Sequence, residues 1–190
     1  MCIRDRYETA HLLRSPDIVA IANHPELLAA AAAYLGCKPT ISSLSVWWSL
    51  PADGSAQEAE NYHRDVDEWR FVKLFVYLSD VDEDAGPHCF VRGSHRHPGF
   101  LRIRRIPDPE VEAAFRPEDQ LKIQGRTGDA FLEDTFGLHK GQPPRQRRRL
   151  LLQVQYSINP IAVYKYAPIR LASPLATADP YVNRLYVRSE

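Results

Sequence analysis

The run RFVKLFVYL, residues 70–78, constrains this chain more than any other stretch. It is rich in aromatic and β-branched residues, which favour strands. It has few polar breaks. A strand of this kind is expected where both faces are at least partly covered, so the chain needs further layers to pack around it.

The rest of the sequence supplies them. Ser15, Pro16 and Asp17 read as a cap, a first-turn proline and an acid opening a short helix through DIVAIAN. Pro25 and Glu26 repeat the signal after Asn23 and His24. LLAAAAAYL then runs to Gly36, a suitable left-handed stop. Beyond Pro39 the composition shifts. TISSLSVWWSL, HCFVRGS, LKIQG, AFLED and LLLQVQYSI read as strands, separated by turn-rich segments such as PADGSAQEAE and SDVDEDAGP. Prolines 98, 107, 109 and 117 mark an irregular excursion with one helix near PEVEAAF. Short strands preceded by helices predict a mainly β fold, a sandwich or jelly-roll barrel with helices packed on one side. A chain of 190 residues suits one domain. We expect a helical part over about 12–36, a barrel over about 40–160 and an extension over about 160–190. The opening MCIRDRYE shows no periodicity and reads as a ragged start, so the natural protein is expected to begin upstream.

Bulk chemistry excludes some partners. Lys+Arg and Asp+Glu balance at 24 each, which does not suggest nucleic acid or an anionic membrane. The apolar stretch around ELLAAAAAYL reads as too short for a membrane span. Cys2, Cys37 and Cys89 are scattered thiols without a CxxC, so a reducing cytoplasm is the expected compartment. A small-molecule substrate is the expected partner.

Immediately before the apolar run stands NYHRDVDEW. Residues two apart in extended backbone share a face, so His63 and Asp65 can reach one point. A third candidate, His139 in DTFGLHKG, follows the strand AFLED. A His-x-Asp pair plus a distant His on a β scaffold is the facial pattern that holds Fe(II) and leaves the opposite face open. Thiolates are absent from the set, which argues against structural zinc. Arg149 heads RLLLQVQY, and a guanidinium entering a buried strand needs an anionic partner such as the far end of a dicarboxylate.

The string HRDVDEWRFVKLFVYLSDVDEDAGPHCFVRGSHR, followed by GDAFLEDTFGLHKG and RRRLLLQVQY, resembles the phytanoyl-CoA dioxygenase family of Fe(II)- and 2-oxoglutarate-dependent oxygenases. The resemblance covers roughly residues 60 to 157. It implies a double-stranded β-helix core, metal ligation by His63, Asp65 and His139, O2 as co-reactant, and a salt bridge from Arg149 to the distal carboxylate of 2-oxoglutarate. It also implies that Tyr77 lines the cosubstrate pocket. Family members usually carry a longer segment before the His-x-Asp.

Other residues have blander readings. Asp67 shares the phase of Asp65 but reads as a supporting or solvated acid. His88 and His95 read as structural hydrogen-bonders, and adjacent Cys89 and His88 point to opposite faces of a strand. Lys140, Arg145, Arg147 and Arg148 read as a solvated loop. Trp47, Trp48 and Trp69 read as core or pocket wall. Arg149 is chosen over its neighbours by counting back from QVQY, although alternation puts Arg147 on the same face. A metal-dependent isomerase or hydrolase, or a non-catalytic relative, stands as the alternative to an oxygenase.

Overall fold

The computed structural model describes residues 4–51, 56, 58–171 and 178–188. Cys2 and most of the PADG turn lie outside these residues. In chain order the elements are β1 (Arg4–Arg6), α1 (Thr9–Leu12), α2 (Pro16–Ala22), α3 (Pro25–Leu35), β2 (Thr40–Ser49), β3 (Phe71–Tyr77), β4 (His88–Val91), α4 (Asp108–Ala114), β5 (Gln120–Ile123), β6 (Ala130–Glu133), β7 (His139–Gly141), β8 (Arg149–Ser157) and α5 (Pro180–Asn183). Two antiparallel sheets result, a larger one ordered β1-β2-β8-β3-β6 and a smaller one ordered β5-β4-β7.

Strand alternation sorts the larger sheet into two chemical faces. Leu44 and Val46 of β2, Val72, Leu74 and Val76 of β3, and Val154 and Tyr156 of β8 form one face. They pack with Ala22, Ala31 and Leu35 of the helices. Burying each such large aliphatic side chain stabilises the fold by roughly 1.5–3 kcal/mol. The opposite face carries Ser43, Ser45 and Trp47, Lys73 and Phe75, and Arg149, Leu151 and Gln153. This face looks across a cavity toward the smaller sheet. The covering of β3 on both sides explains why all seven of its residues are buried.

The helix signals in the sequence act as read. Ser15 Oγ accepts a hydrogen bond from the Ile18 amide, and Gly36 ends α3 at φ 77°. Residues 16–35 taken end to end have the length and apolar composition of a membrane span, with a mean hydropathy of 1.3 over an 18-residue window. The expectation from ELLAAAAAYL agrees with the structure, since α3 by itself has only 11 residues. Asn23 and His24 interrupt the longer segment, and its inward face packs on the sheet.

Part of the opening segment is built into the larger sheet. Arg4–Arg6 pair in antiparallel register with Trp47, Trp48 and Ser49. Three residues are too few for periodicity to show; only the exposed edge of β2 makes them a strand. The excursion over residues 98–117 covers the outer face of the smaller sheet, where Tyr62, Cys89, Val91, Phe100, Ile106, Val111 and Leu138 form a second core. The C-terminal segment docks onto the helical side through Val182, Tyr186 and reciprocal hydrogen bonds between Asn23 and Asn183.

Candidate metal and cosubstrate site

His63 precedes β3 in a segment stitched to β7. Its amide donates to the His139 carbonyl at 3.0 Å, and the His139 amide returns a bond to the His63 carbonyl at 3.1 Å. The two imidazoles therefore stand opposite each other, with ring centroids 4.3 Å apart. The Asp65 amide donates to the Thr135 carbonyl, bringing its carboxylate to the same place. One ligand atom each from His63, Asp65 and His139 lies within 4.8 Å of the others. Arg64, between the first two, points elsewhere and donates to the carbonyls of Phe100, Ser94 and Phe136. It pins the motif to three separate segments.

The donor chemistry suits a divalent metal. His63 Nδ1 lies 2.9 Å from the Asn61 carbonyl and His139 Nδ1 3.0 Å from the Gly137 carbonyl. Donation from Nδ1–H leaves each Nε2 with a lone pair facing Asp65, the tautomer a metal requires. Burial, helped by repulsion from His139, pushes the His63 imidazole down to about 3. Burial acts the same way on His139, but the bond to Asp65 outweighs it and raises that imidazole above its ordinary range. Burial also opposes ionisation of Asp65; His139 and Lys73 overcome this and hold the carboxyl below the usual carboxylate range.

The three groups open onto a cavity of about 380 Å³. Arg149 lies in its wall, 3% exposed, with Nη2 donating to Ser49 Oγ at 3.3 Å. Its neighbours go elsewhere. Arg148 sits over the Trp48 ring at 4.5 Å, and Arg147 pairs with Asp82. Strand alternation does not extend to Arg147, because β8 begins at Arg149. Tyr77 is fully buried on the same face as Phe75, but its hydroxyl is occupied: it donates to the Ile123 carbonyl at 2.5 Å and accepts from the His88 amide. The cavity wall beside it is formed by Phe75 and Leu151.

Several residues differ from their sequence readings or were overlooked. Trp69 is 94% exposed and walls nothing, since it falls in the turn before β3. Lys140 is buried, bonded to Asp108 and set over the Tyr62 ring, so it does not belong to a solvated loop. His88 lines the cavity and pairs with buried Glu133 at 2.9 Å. His95 bonds Asp134. Lys73 reaches the carboxylates of both Asp65 and Asp67. The signal for it was present as the one cation inside the apolar run of β3.

A sequence profile of the phytanoyl-CoA dioxygenase (PhyH) family matches residues 4–149. The chain belongs to this family. No curated protein is detectably similar in sequence. Among solved structures, HygX from Streptomyces hygroscopicus, determined with nickel and 2-oxoglutarate bound, superposes with a TM-score of 0.59 at 17% identity, over 96% of this chain and 79% of that one. The epimerase SnoN from nogalamycin biosynthesis, in complex with Fe3+, alpha ketoglutarate and nogalamycin RO, gives 0.59 at 22% identity, over 91% and 75%. The alpha-ketoglutarate-dependent carbocyclase SnoK, from the same biosynthesis, gives 0.58 at 16%, over 80% and 62%. At these identities the likeness is one of fold, the double-stranded β-helix. The family profile and the fold thus agree with the resemblance carried by the sequence motifs.

Proposed function

We propose that this phytanoyl-CoA dioxygenase family member is an Fe(II)- and 2-oxoglutarate-dependent dioxygenase that hydroxylates a small organic substrate, with decarboxylation of 2-oxoglutarate to succinate. The observation that carries this reading is the convergence of His63, Asp65 and His139, drawn from two distant segments, on a cavity that also contains the buried Arg149. Iron bound by these three residues would supply the oxidising chemistry together with O2 and the 2-oxo acid. The 2-oxo acid bound in HygX and SnoN supports the same reading here.

The chain's own residues have separable tasks. The two imidazoles present neutral Nε2 donors, and Asp65 supplies the negative charge that favours a divalent cation. Arg149 matches the distal carboxylate of the cosubstrate, since a planar guanidinium can pair with both carboxylate oxygens. Trp47, Phe75 and Leu151 line the cavity with apolar surface and limit water. Ser43, Ser45, Gln153 and Tyr164 offer hydrogen bonds to a polar substrate. A small apolar residue in place of Asp65 would leave room for halide, so the carboxylate favours hydroxylation over halogenation. Cys37 and Cys89 are free thiols, which suits a cytoplasmic enzyme.

One pair of measurements tests the reading. Anaerobic addition of Fe(II) and 2-oxoglutarate to the purified chain should produce a weak visible charge-transfer band. Admitting O2 should then yield succinate. Metal uptake with neither band nor succinate would turn the reading toward a non-redox Lewis-acid enzyme, and failure to take up metal toward a non-catalytic relative. Product analysis with candidate substrates distinguishes hydroxylation from the epimerase and carbocyclase outcomes named for SnoN and SnoK.

A further inference from the structure

Lys73 is the least expected group in the cavity. It is a cation in the middle of a buried strand, its side chain 7% exposed. An ammonium desolvated in this way is very costly unless paired. Lys73 Nζ lies 2.6 Å from Asp65 Oδ2 and 2.9 Å from Asp67 Oδ2. The side chain comes from β3, held between β8 and β6 in the registers Lys73↔Gln155 and Lys73↔Glu133. The ammonium is thus carried on a rigid platform, and Asp67 gives it a second anchor.

The contact determines how Asp65 can act. A carboxylate with both oxygens free can chelate a metal through both. One whose Oδ2 is occupied by a short charge-assisted hydrogen bond is left with Oδ1 as its better donor. The distinction matters at a facial site. Two imidazoles and one carboxylate oxygen leave three octahedral positions, enough for a chelating 2-oxo acid and O2. A second carboxylate oxygen would take one of them.

We infer that Lys73 is a positioning residue that restrains Asp65 to one-oxygen ligation, with Asp67 as the counter-anchor of its ammonium. This explains the spacing His63-x-Asp65-x-Asp67 followed by Lys73. The first carboxylate is the ligand, the second orients the cation that orients the ligand. Lys73 also offsets the second carboxylate, so the three groups together carry one negative charge. The inference rests on the metal reading given above.

The test uses the full chain with Lys73→Met, which keeps most of the length of the side chain and removes its charge. Fe(II) affinity is measured anaerobically by competition with a chromophoric chelator. 2-Oxoglutarate affinity and the position of the visible charge-transfer band are measured on the iron-loaded protein. We expect Fe(II) affinity equal to or higher than that of the unaltered chain, a 2-oxoglutarate Kd raised at least tenfold, and a displaced band. A merely structural role would weaken iron and cosubstrate binding together, and that result would overturn the inference. So would an unchanged band with unchanged 2-oxoglutarate affinity. Asp67→Asn, at a half-buried position, should move both readouts the same way by a smaller factor. It carries the test if Lys73→Met does not fold; no movement in Asp67→Asn would then overturn the inference. A missing band in the unaltered chain would instead overturn the metal reading itself.

Discussion

Replacing Arg149 by Met isolates the proposed cosubstrate clamp. Methionine keeps the aliphatic part of the side chain but not the guanidinium that lies between Ser49 and Gly141. What disappears is the charge and its contacts, among them the hydrogen bond to Ser49 Oγ, which at 3.3 Å is long and contributes little. Removing one partner of a buried charge pair costs about 2–5 kcal/mol of binding. At about 1.4 kcal/mol per decade, this corresponds to a weakening of roughly 30-fold to several thousandfold. The assay is anaerobic titration of 2-oxoglutarate into iron-loaded protein, followed by the visible band, with iron affinity measured separately. Iron affinity should change little, because Arg149 is not one of the three convergent groups proposed to hold the metal. Arg148→Met removes only a cation over the exposed side of Trp48, and Arg147→Met only a surface pair with Asp82. Each contributes about 1 kcal/mol or less, and to stability rather than to 2-oxoglutarate binding. A 2-oxoglutarate Kd for Arg149→Met within threefold of the unaltered chain would refute the clamp, as would a full effect in Arg147→Met.

Asp65→Ala should abolish iron binding and succinate formation, and should also lower the thermal midpoint of the metal-free protein, because buried Lys73 loses one of its two carboxylates; turnover in this variant would count against the ligand set. Gly86→Ala should destabilise by several kcal/mol in a urea titration, because Gly86 sits at φ 72° and an added Cβ would come 2.3 Å from the Gln142 carbonyl oxygen. The metal-free protein should lose stability as pH falls from 6.5 toward 3. His63 stays neutral in the folded state down to about 3, whereas the unfolded chain takes up its proton near 6.5. Its contribution is therefore complete above 6.5 and lost on the way down, on the order of 4–5 kcal/mol. Comparing the acid unfolding of His63→Gln with that of the unaltered chain should show the difference, and superimposable pH curves would contradict it. On acidification, metal loading should come to release a proton, because Asp65 favours the His139 imidazolium and a ligating imidazole must be neutral. A pH-stat titration with Fe(II) would register it.

Much of this protein could be read from local patterns. The helix caps at Ser15 and Gly36, the strand character of residues 40–49, 71–77 and 149–157, and the shared face of His63 and Asp65 all depend on short-range rules. Cap geometry is set within one turn, and strand alternation within a few residues, so adjacent letters carry the information. The order of motifs along the chain was also sufficient to point to the family.

What required the tertiary structure is everything that depends on which strand lies beside which. Arg4–Arg6 become a strand only because β2 offers them an edge. Trp69 and Trp47 look alike in sequence, yet one lies in a turn facing solvent and the other faces the cavity. Tyr77 has the phase of a pocket residue, but its hydroxyl is taken up by the facing sheet. Arg147 would share the face of Arg149 if the strand continued, but β8 starts two residues too late. Lys73 shows the difference most plainly. Its place inside an apolar run marks it as unusual, but nothing local says which groups its ammonium meets. Its role follows from two carboxylates, six and eight residues earlier, that the fold returns to within 3 Å of its ammonium. Charges interact through space, and the distance between them is set by the packing of the whole domain.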